Sequence, residues 1–179
     1  MYLEILENTE LRTRRLEDMK EIFFLSASAA IQSAPSDQQE TFWSKWTSFY
    51  IENCRDELFF ACDLTSKRTM GYLTGCHDSA NSQDAIKSNI KSFVLFADYF
   101  TKYPAHFHIN THPDFRDHGV GTFLLQEYLI ELKKMKIHGV HIVTAPGARN
   151  VNFYLKNKFE IVAERFYADK PLLLMGLLF

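Results

Sequence analysis

The stretch from Ala105 to Ala145 constrains the fold most, because it places a long helix pattern between two strand patterns. Ala105–Thr111 alternates in the way that a half-buried strand does. A turn follows, and after Gly119 comes the clearest helix pattern of the chain, which Gly139 is placed to end. Val140–Ala145 is apolar enough for a buried strand. A helix between strands predicts a mixed sheet with crossovers on its faces.

The two periodicities assign faces within this stretch. In the strand, one face carries polar side chains: His106, His108 and Asn110. In the helix, one stripe is apolar at helical spacing: Gly121, Leu124, Leu125, Tyr128, Leu129 and Leu132. The polar strand face is therefore a candidate for chemistry, and the helix stripe is a candidate for the core.

The first third of the chain is predicted to be mainly helical. Glu10–Leu16 alternates charged and apolar residues and predicts an edge strand, and Leu16–Ala30 predicts a helix. Pro35 predicts a break. Aromatic residues at helical spacing then predict a second helix that ends near Asn53.

Strand patterns dominate the remainder. Leu58–Leu64 and Thr69–Cys76 predict an antiparallel hairpin. A polar insertion, Asp78–Ser92, leads into an aromatic segment with helical character, Phe93–Tyr103. A short helix (Ala148–Asn157) and two strands (Phe159–Tyr167 and Pro171–Phe179) complete the chain. This order predicts a single α/β domain over residues 1–179.

Composition excludes several classes of protein. Hydrophobic residues make up 46% of the 179, and a formal net charge of −2 leaves no basic excess for a phosphate backbone, so nucleic acid is not an expected partner. Cys54, Cys62 and Cys76 show no CxxC spacing and predict reduced thiols. The longest apolar run, Leu172–Phe179, is too short to cross a bilayer, and no secretory signal is visible. These features predict a cytoplasmic protein without membrane contact.

The segment Pro113-Asp-Phe-Arg-Asp-His-Gly-Val-Gly-Thr122 carries the strongest chemical signal. Gly119 and Gly121 permit a tight turn that exposes N–H groups at a helix start, where unpaired donors and the helix dipole favour a pyrophosphate. Arg116 adds a charged donor. A dinucleotide-binding GxGxxG would need glycine at Leu124, and a P-loop sequence is absent, so NAD and ATP are not the expected ligands. Taken alone, the same residues also fit a plain glycine turn.

Arg116-Asp-His-Gly-Val-Gly121 resembles the Arg/Gln-x-x-Gly-x-Gly/Ala cofactor loop of the GCN5-related N-acetyltransferases (GNAT). Downstream, Asn150-Val-Asn-Phe-Tyr-Leu-Lys-Asn-Lys-Phe159 resembles the late helix of that family, Ala-x-x-Phe-Tyr-x-Lys-x-Gly-Phe. The wider stretch Tyr103–Gly121 is similar to bacterial acetyltransferases related to the acetyltransferase-like domain of O-GlcNAcase. The resemblance covers Leu58–Phe179.

This resemblance implies a GNAT fold, with a mostly antiparallel sheet of six to seven strands and a splayed central pair that holds Ile109 and Val143. It implies acetyl-CoA (coenzyme A) as cofactor. The pantetheine arm would pair with backbone groups of the strand: Ile109, Asn110 and Thr111. The pyrophosphate would meet the loop: Arg116, Asp117, His118, Gly119, Val120, Gly121 and Thr122. Asn150 and Phe153 complete the implied cofactor contacts.

The resemblance also implies catalytic roles. Tyr154 matches the family tyrosine that protonates the departing thiolate. Close relatives often carry Asp where this chain has Asn110, and an amide cannot hold a proton near neutral pH. His108, His106 and Asp78 are therefore alternative bases, acting directly or through water. Asn110 and His108 remain the catalytic candidates on the strand.

Two further departures from the family pattern stand near the late helix. Lys158 replaces the usual glycine before Phe159, and Gly147 stands where many relatives have Asn. His106, His108 and His112 suggest a metal site only weakly, and none is predicted.

The expected activity is transfer of an acetyl group to a primary amine of a small molecule or peptide, by a monomer or homodimer. A catalytically silent acyl-CoA-binding module is the alternative, because Asn110 replaces Asp. A nucleotide binder of another kind would be stabilised by NAD or ATP but not by coenzyme A.

Overall fold

The computed structural model describes residues 1–5 and 9–179, with the side chains of residues 1–4 and 13–179. The strands are β1 (Tyr2–Ile5), β2 (Leu58–Cys62), β3 (Thr69–Cys76), β4 (Ala105–Thr111), β5 (Gly139–Thr144), β6 (Glu160–Tyr167) and β7 (Lys170–Leu178). The α-helices are α1 (Thr9–Ser26), α2 (Ala29–Gln32), α3 (Ser36–Asn53), α4 (Ser79–Asn89), α5 (Val120–Lys134) and α6 (Arg149–Lys156). Short 3₁₀ helices cover Arg55–Glu57, Lys91–Tyr99 and Pro113–Phe115.

The strands form one mixed sheet in the order β1-β2-β3-β4-β5-β7-β6. β4 and β5 are parallel, whereas the pairs β1–β2, β2–β3, β5–β7 and β6–β7 are antiparallel. Among the described residues, the parallel pairing joins Ala105 to Val140 and His106 to His141, although the strands continue to Thr111 and Thr144. The predicted mixed, mostly antiparallel sheet with a splayed central pair is confirmed.

The chain divides into two compact units. The first unit contains Met1–Gly75 and His108–Leu129, and the second unit contains Cys76–Phe107 and Ile130–Phe179. Both β4 and α5 contribute residues to each unit. That residues 1–179 act as one domain stays a prediction.

In the first unit, the predicted hairpin of β2 and β3 is confirmed and every one of its strand residues is buried. In the same unit α3 buries Trp43, Thr47 and Tyr50, which recur at helical spacing. Steric crowding explains why residue 75 is glycine, because a Cβ there would lie 2.4 Å from the Tyr128 ring. The Tyr128 hydroxyl donates to Glu57 Oε2 at 3.0 Å, so the apolar stripe of α5 also carries a buried polar anchor.

The edge strand predicted for Glu10–Leu16 is wrong, because this segment belongs to α1. Buried residues recur there at helical spacing, at Arg15, Met19 and Ile22. Arg15 is 1% exposed and donates to Glu4 Oε2 at 2.6 Å and to Asp18 Oδ2 at 3.0 Å. An ion-paired arginine therefore occupies a core-facing position that a polarity pattern assigns to solvent. The predicted helix Leu16–Ala30 is two helices, α1 and α2.

In the second unit, β7 lies between β5 and β6 and supplies Leu173, Leu174 and Met175 to the core. The late helix and the last two strands are confirmed as α6, β6 and β7. The polar insertion contains a helix, α4, and the aromatic segment falls largely in the 3₁₀ helix Lys91–Tyr99.

Gly139 does not end the preceding helix, contrary to the prediction. α5 ends at Lys134, and Lys136 takes the left-handed conformation (φ +60°) while the Ile137 N–H donates to the Leu132 carbonyl at 2.9 Å. Gly139 instead begins β5, where a Cβ would lie 2.6 Å from the Lys102 carbonyl oxygen. Close packing, and not helix termination, explains this glycine.

Cys54, Cys62 and Cys76 are not joined in disulfides. Of the described helices, none combines the length and apolarity that crossing a bilayer requires.

Candidate active site

The loop between β4 and α5 exposes backbone at the start of a helix. Asp117 (φ +65°) and Gly119 (φ +79°) are left-handed, and both are exposed. A Cβ added at Gly119 would have nothing within 4 Å, so open space surrounds the turn. The Phe123 N–H donates to the Gly119 carbonyl at 2.9 Å, which makes Gly119 the residue that precedes the first helical turn.

The first N–H groups of α5 consequently have no partner within the helix. These are the amides of Val120, Gly121 and Thr122. They carry the partial positive charge of the helix N-terminus, which favours an anionic ligand. The amide of Arg116 is already engaged, because it donates to the Pro113 carbonyl at 3.3 Å. We therefore expect Arg116 to contribute through its half-buried side chain rather than its N–H.

Packing against β3 fixes the start of α5. Val120 is 1% exposed, and a Cβ on Gly71 would lie 3.0 Å from Val120 Cγ1 and 2.8 Å from the Asn110 carbonyl oxygen. Gly71 thus permits β3 to approach both the strand and the helix that flank the loop. Sequence analysis missed Gly71, although a glycine inside a strand is a known signal of close backbone approach.

The end of β4 supplies Ile109, Asn110 and Thr111, all half-buried. The adjacent His112 N–H donates to the Met70 carbonyl at 2.9 Å. His112 Nδ1 accepts from the Asp114 N–H at 3.2 Å, so this histidine stabilises the 3₁₀ turn that opens the loop. Pantetheine pairing at these three residues stays a prediction.

Asn110 is anchored by a residue that sequence analysis missed. Its Nδ2 donates to the Tyr72 hydroxyl at 2.7 Å. Tyr72 is 2% exposed, and burial raises the pKa of its hydroxyl well above the usual value, so it stays protonated. The amide of Asn110 is therefore held in one orientation on the polar face of β4.

His108, two residues earlier on that face, stands among aromatic rings. Its ring centroid lies 5.9 Å from that of Trp46 and 5.4 Å from that of Tyr50, with interplanar angles of 84° and 83°. Burial lowers the pKa of His108 from 6.5 to about 4, so the imidazole is neutral at physiological pH. Within the described part of the chain, neither ring nitrogen of His108 has a hydrogen-bond partner.

The other two alternative bases are committed to structural contacts. Asp78 caps α4 by accepting from the Asn81 N–H at 3.0 Å, and this backbone bond holds the pKa of its carboxyl below the usual value. His106 is 4% exposed and its Nδ1 lies 2.7 Å from Ser79 Oγ. Across the described residues, no group of three or more His, Cys, Asp or Glu side chains forms a metal site.

Tyr154 belongs to the second unit, in a cluster of aromatic rings. It is 4% exposed, with its ring centroid 6.0 Å from that of Phe107 and 5.4 Å from that of Phe159. Burial raises the pKa of its hydroxyl strongly, so the group holds its proton. Among the described residues, Trp46 Nε1 is the one fully buried side-chain nitrogen or oxygen without a hydrogen-bond partner. The Tyr154 hydroxyl is therefore not a buried atom that lacks a partner.

The residues around Tyr154 explain one departure from the family pattern. Lys158 is left-handed (φ +67°), and the Phe159 N–H donates to the Tyr154 carbonyl at 3.0 Å. This is the Schellman arrangement, in which glycine is the usual left-handed residue, and the Phe159–Tyr154 ring contact accompanies it. Lys158 therefore keeps the geometry of the motif at some cost in backbone strain.

Asn150 and Phe153 also lie on α6. Asn150 Oδ1 accepts from Thr144 Oγ1 at 2.8 Å, which ties the helix to the end of β5. The Phe153 ring packs edge-on against Tyr154 at 5.2 Å. Gly147 is left-handed (φ +73°), a conformation that Asn tolerates better than most residues, so the Asn of relatives fits the same backbone.

The predicted residues thus fall into two groups. The first unit brings together His108, Asn110 and the loop up to Thr122, and the second unit holds Asn150, Phe153 and Tyr154. The contacts described above give the first group backbone donors, a neutral imidazole and an oriented amide. They give the second group a protonated phenol.

Comparison with known proteins identifies the family of the chain. Residues 17–159 match the Acetyltransferase (GNAT) family. No curated protein matches the chain in sequence.

Solved structures show the same fold at low sequence identity. SsHAT is 17% identical with a TM-score of 0.70, covering 99% of this chain and 97% of its own. A ribosomal-protein-alanine N-acetyltransferase from Brucella melitensis is 17% identical with a TM-score of 0.61, covering 100% of both chains. An aminoglycoside 6'-N-acetyltransferase complexed with coenzyme A is 12% identical with a TM-score of 0.64, covering 99% of this chain and 97% of its own.

Proposed function

The chain belongs to the Acetyltransferase (GNAT) family, and from this premise we propose that it transfers the acetyl group of acetyl-CoA directly to a primary amine of a small molecule or peptide. The observation that carries the proposal is the open, left-handed turn at Gly119 that leads into the first amides of α5, which have no partner within the helix.

The residues present fit coenzyme A. Open space around Gly119 lets phosphate oxygens approach the backbone, and three amides at a helix start supply donors without side-chain ordering. The side chain of Arg116 adds a charged contact, and the backbone of Ile109–Thr111 offers an edge for the pantetheine arm. Bound acetyl-CoA supplies the acetyl group as a thioester and departs as the thiol.

The side chains on the polar face of β4 serve the amine. His108 is neutral and without a hydrogen-bond partner in the described residues, so its free nitrogen accepts a proton from the attacking amine, directly or through one water. With a pKa of about 4, His108 is a weak base, so it holds the proton taken from the amine only briefly. Asn110 orients the amine through its amide, itself fixed by Tyr72.

Tyr154 serves the departing sulfur. Its hydroxyl stays protonated because burial disfavours the phenolate, and the described residues do not hold it in a hydrogen bond. A protonated, available phenol is the group that a departing thiolate needs.

Thermal unfolding with coenzyme A, acetyl-CoA, NAD and ATP tests the proposal. Coenzyme A and acetyl-CoA at about 100 times their dissociation constants should stabilise the protein by about 2.7 kcal/mol, and NAD and ATP should not. Gly119→Val should abolish this stabilisation, because a branched side chain at φ +79° distorts the turn and occupies the space for the phosphates.

Asp169→Val is the matched control. Asp169 is also left-handed (φ +61°), in the turn between β6 and β7, so valine imposes similar backbone strain there. This variant should unfold earlier and still gain the full stabilisation from coenzyme A. Loss in both variants, or stabilisation by NAD alone, would contradict the proposal. Binding without acetyl transfer to any amine would indicate a silent module instead.

A further inference from the structure

The indole N–H of Trp46 is an unusual group in this chain. Its Nε1 is the one fully buried side-chain nitrogen or oxygen that lacks a hydrogen-bond partner in the part of the chain that the structure describes. A buried donor without an acceptor is unfavourable, and folded proteins keep few of them. The Trp46 ring stands edge-on to the His108 ring, with 5.9 Å between centroids, so this donor belongs to a side chain at the polar face of β4.

Two side chains on that face also have polar atoms to spare. Both ring nitrogens of His108 are without a hydrogen-bond partner among the described side chains. Asn110 Nδ2 donates to the Tyr72 hydroxyl at 2.7 Å, which leaves the amide oxygen Oδ1 without a described partner. None of these atoms is fully buried, so a ligand can reach them. Trp46, Tyr72, His108 and Asn110 all belong to the first unit.

These side chains define what a ligand must bring. Trp46 offers a donor, Asn110 offers an acceptor, and a neutral imidazole offers one of each. The proposed amine satisfies only part of this set, because its N–H groups donate to Asn110 Oδ1 while its lone pair forms the new bond to the thioester carbon. An acceptor for the Trp46 N–H must therefore come from a second group on the same molecule.

The spacing favours a second group close to the amine. Bond lengths of about 1.46, 1.52 and 1.23 Å put the oxygen of an α-amino carbonyl unit about 3 Å from its nitrogen. With a hydrogen bond of about 2.9 Å at each end, this unit bridges a donor and an acceptor up to about 9 Å apart. That reach suits a Trp46 ring in contact with His108 and an Asn110 that follows roughly 7 Å along the same strand face.

An amide carbonyl is the acceptor that fits best. Its oxygen accepts and has no proton of its own, whereas a hydroxyl would need a further acceptor. A carboxylate would bring a full charge beside the rings of Trp46 and Phe42, whose centroids are 6.2 Å apart, and a charge that loses its water there is disfavoured. An amide supplies the lone pairs without the charge.

We propose that Trp46 and Asn110 select an amine that is one carbon away from an amide carbonyl, as in the first residue of a peptide or in an amino-acid amide. The carbonyl oxygen accepts from the Trp46 indole N–H, which a turn of this half-buried ring exposes, and the amine donates to Asn110 Oδ1. Recognition precedes acetyl transfer and adds no covalent step to it. The inference rests on the proposed function and names its substrate class.

Two amines of similar shape test the role of the oxygen. Alaninamide has the α-amino carbonyl unit, and 3-methylbutan-2-amine carries an isopropyl group in place of the amide. Trp46→Phe keeps an aromatic ring but removes the N–H, so it should lower the ratio of kcat/KM for alaninamide to that for 3-methylbutan-2-amine about ten-fold. The different basicities of the two amines cancel, because both proteins are compared at the same pH.

Trp43→Phe is the matched control. Trp43 is buried one helical turn earlier on α3, and its ring packs edge-on against Phe23 at 5.2 Å rather than against His108. The ratio should stay within about two-fold of that of the unchanged protein, because the substitution leaves the Trp46 N–H in place. The ratio is internal to each protein, so incomplete folding of a variant does not alter it.

Fluorescence gives a readout that does not depend on turnover. The chain contains two tryptophans, so Trp43→Phe leaves Trp46 as the single one. With coenzyme A bound, alaninamide should move the Trp46 emission to longer wavelength, because a new hydrogen bond from the indole N–H stabilises the excited state, and 3-methylbutan-2-amine should not. An unchanged emission at alaninamide concentrations far above the KM would overturn the inference.

The outcomes separate the two proposals. A ratio that Trp46→Phe leaves unchanged or that both variants lower equally, or turnover of free alanine as fast as alaninamide, would overturn the carbonyl inference and leave the acetyltransferase proposal standing. Alanyl-alaninamide acetylated faster than alaninamide would identify a peptide as the source of the amine, and the reverse would identify an amino-acid amide. Acetyl-CoA binding with no amine acetylated would remove both proposals.

Discussion

His106 and His108 stand two residues apart on the same strand, yet their surroundings differ. In the second unit, His106 is buried, bonded to Ser79 and packed against Phe93 at 4.8 Å. In the first unit, His108 is half-buried among rings, without a hydrogen-bond partner in the described residues. Sequence alternation assigns both to one polar face. The difference teaches that the partners of a histidine, and not its place in the pattern, distinguish the structural role of His106 from the chemical role proposed for His108.

The largest expected effects come from replacing each of these two histidines with alanine. His106→Ala removes a buried ring and leaves Ser79 without that partner, so it should lower the free energy of unfolding by about 2–3 kcal/mol. His108→Ala should lower it by less than about 1 kcal/mol but reduce kcat/KM about 100-fold. Urea unfolding and steady-state kinetics on both variants measure the two effects. A similar loss of stability in both variants would contradict the proposed difference between His106 and His108.

The pH dependence of stability gives a second test of the difference between His106 and His108. The pKa of His108 is about 4 in the folded state against 6.5 when unperturbed, so the unfolded chain binds more protons between these values. Stability from this residue is therefore complete above pH 6.5 and is lost as the pH falls toward 4. The full shift corresponds to about 3 kcal/mol, and partial exposure reduces the expected loss to about 2 kcal/mol.

His108→Gln isolates this contribution because it cannot titrate. Urea unfolding at pH 7 and pH 4 should show a smaller acid loss in the variant than in the unchanged protein, by about 2 kcal/mol. Equal losses in the two proteins would mean that His108 is not held in its neutral form.

The smallest expected effect lies at the end of α6, where Lys158 serves structure and Tyr154 is proposed to serve chemistry. Lys158→Gly should relieve left-handed strain and stabilise the protein by about 1 kcal/mol, which raises Tm by about 2–4 °C. Lys156→Gly, at the last residue of α6, should instead destabilise the protein, by up to about 1 kcal/mol. A calorimetric scan of both variants distinguishes these outcomes, and a loss of stability for Lys158→Gly would show that its side chain does more than tolerate the turn.

Sequence predicts best where a pattern is local. Thr69–Cys76 and Ala105–Thr111 emerge with their predicted bounds, because alternation and flanking turn residues act over a few positions. The Gly119 loop was also predictable, since strand, glycines and helix adjoin. The strand prediction for Glu10–Leu16 was wrong because a short alternation of charged and apolar residues counted for more than the longer helical pattern. That helical pattern includes the buried, ion-paired Arg15.

Tertiary partners account for what sequence missed. The Tyr72–Asn110 hydrogen bond joins residues 38 apart and depends on how β3 and β4 align, which no local pattern fixes. Gly139 fits both a helix end and a close contact with Lys102, and only packing separates the two. The low basicity of His108 follows from helix α3 covering the strand, and no feature of the segment 105–111 alone indicates it.

The central claim is that backbone amides at the start of α5 bind the pyrophosphate of coenzyme A. Amide ¹H–¹⁵N spectra recorded during titration with coenzyme A test it most directly. We predict that the largest shifts belong to Gly119, Val120, Gly121 and Thr122, and that adding desphospho analogues such as pantetheine leaves these four signals in place. Saturation by coenzyme A with those four amides unmoved would contradict the account.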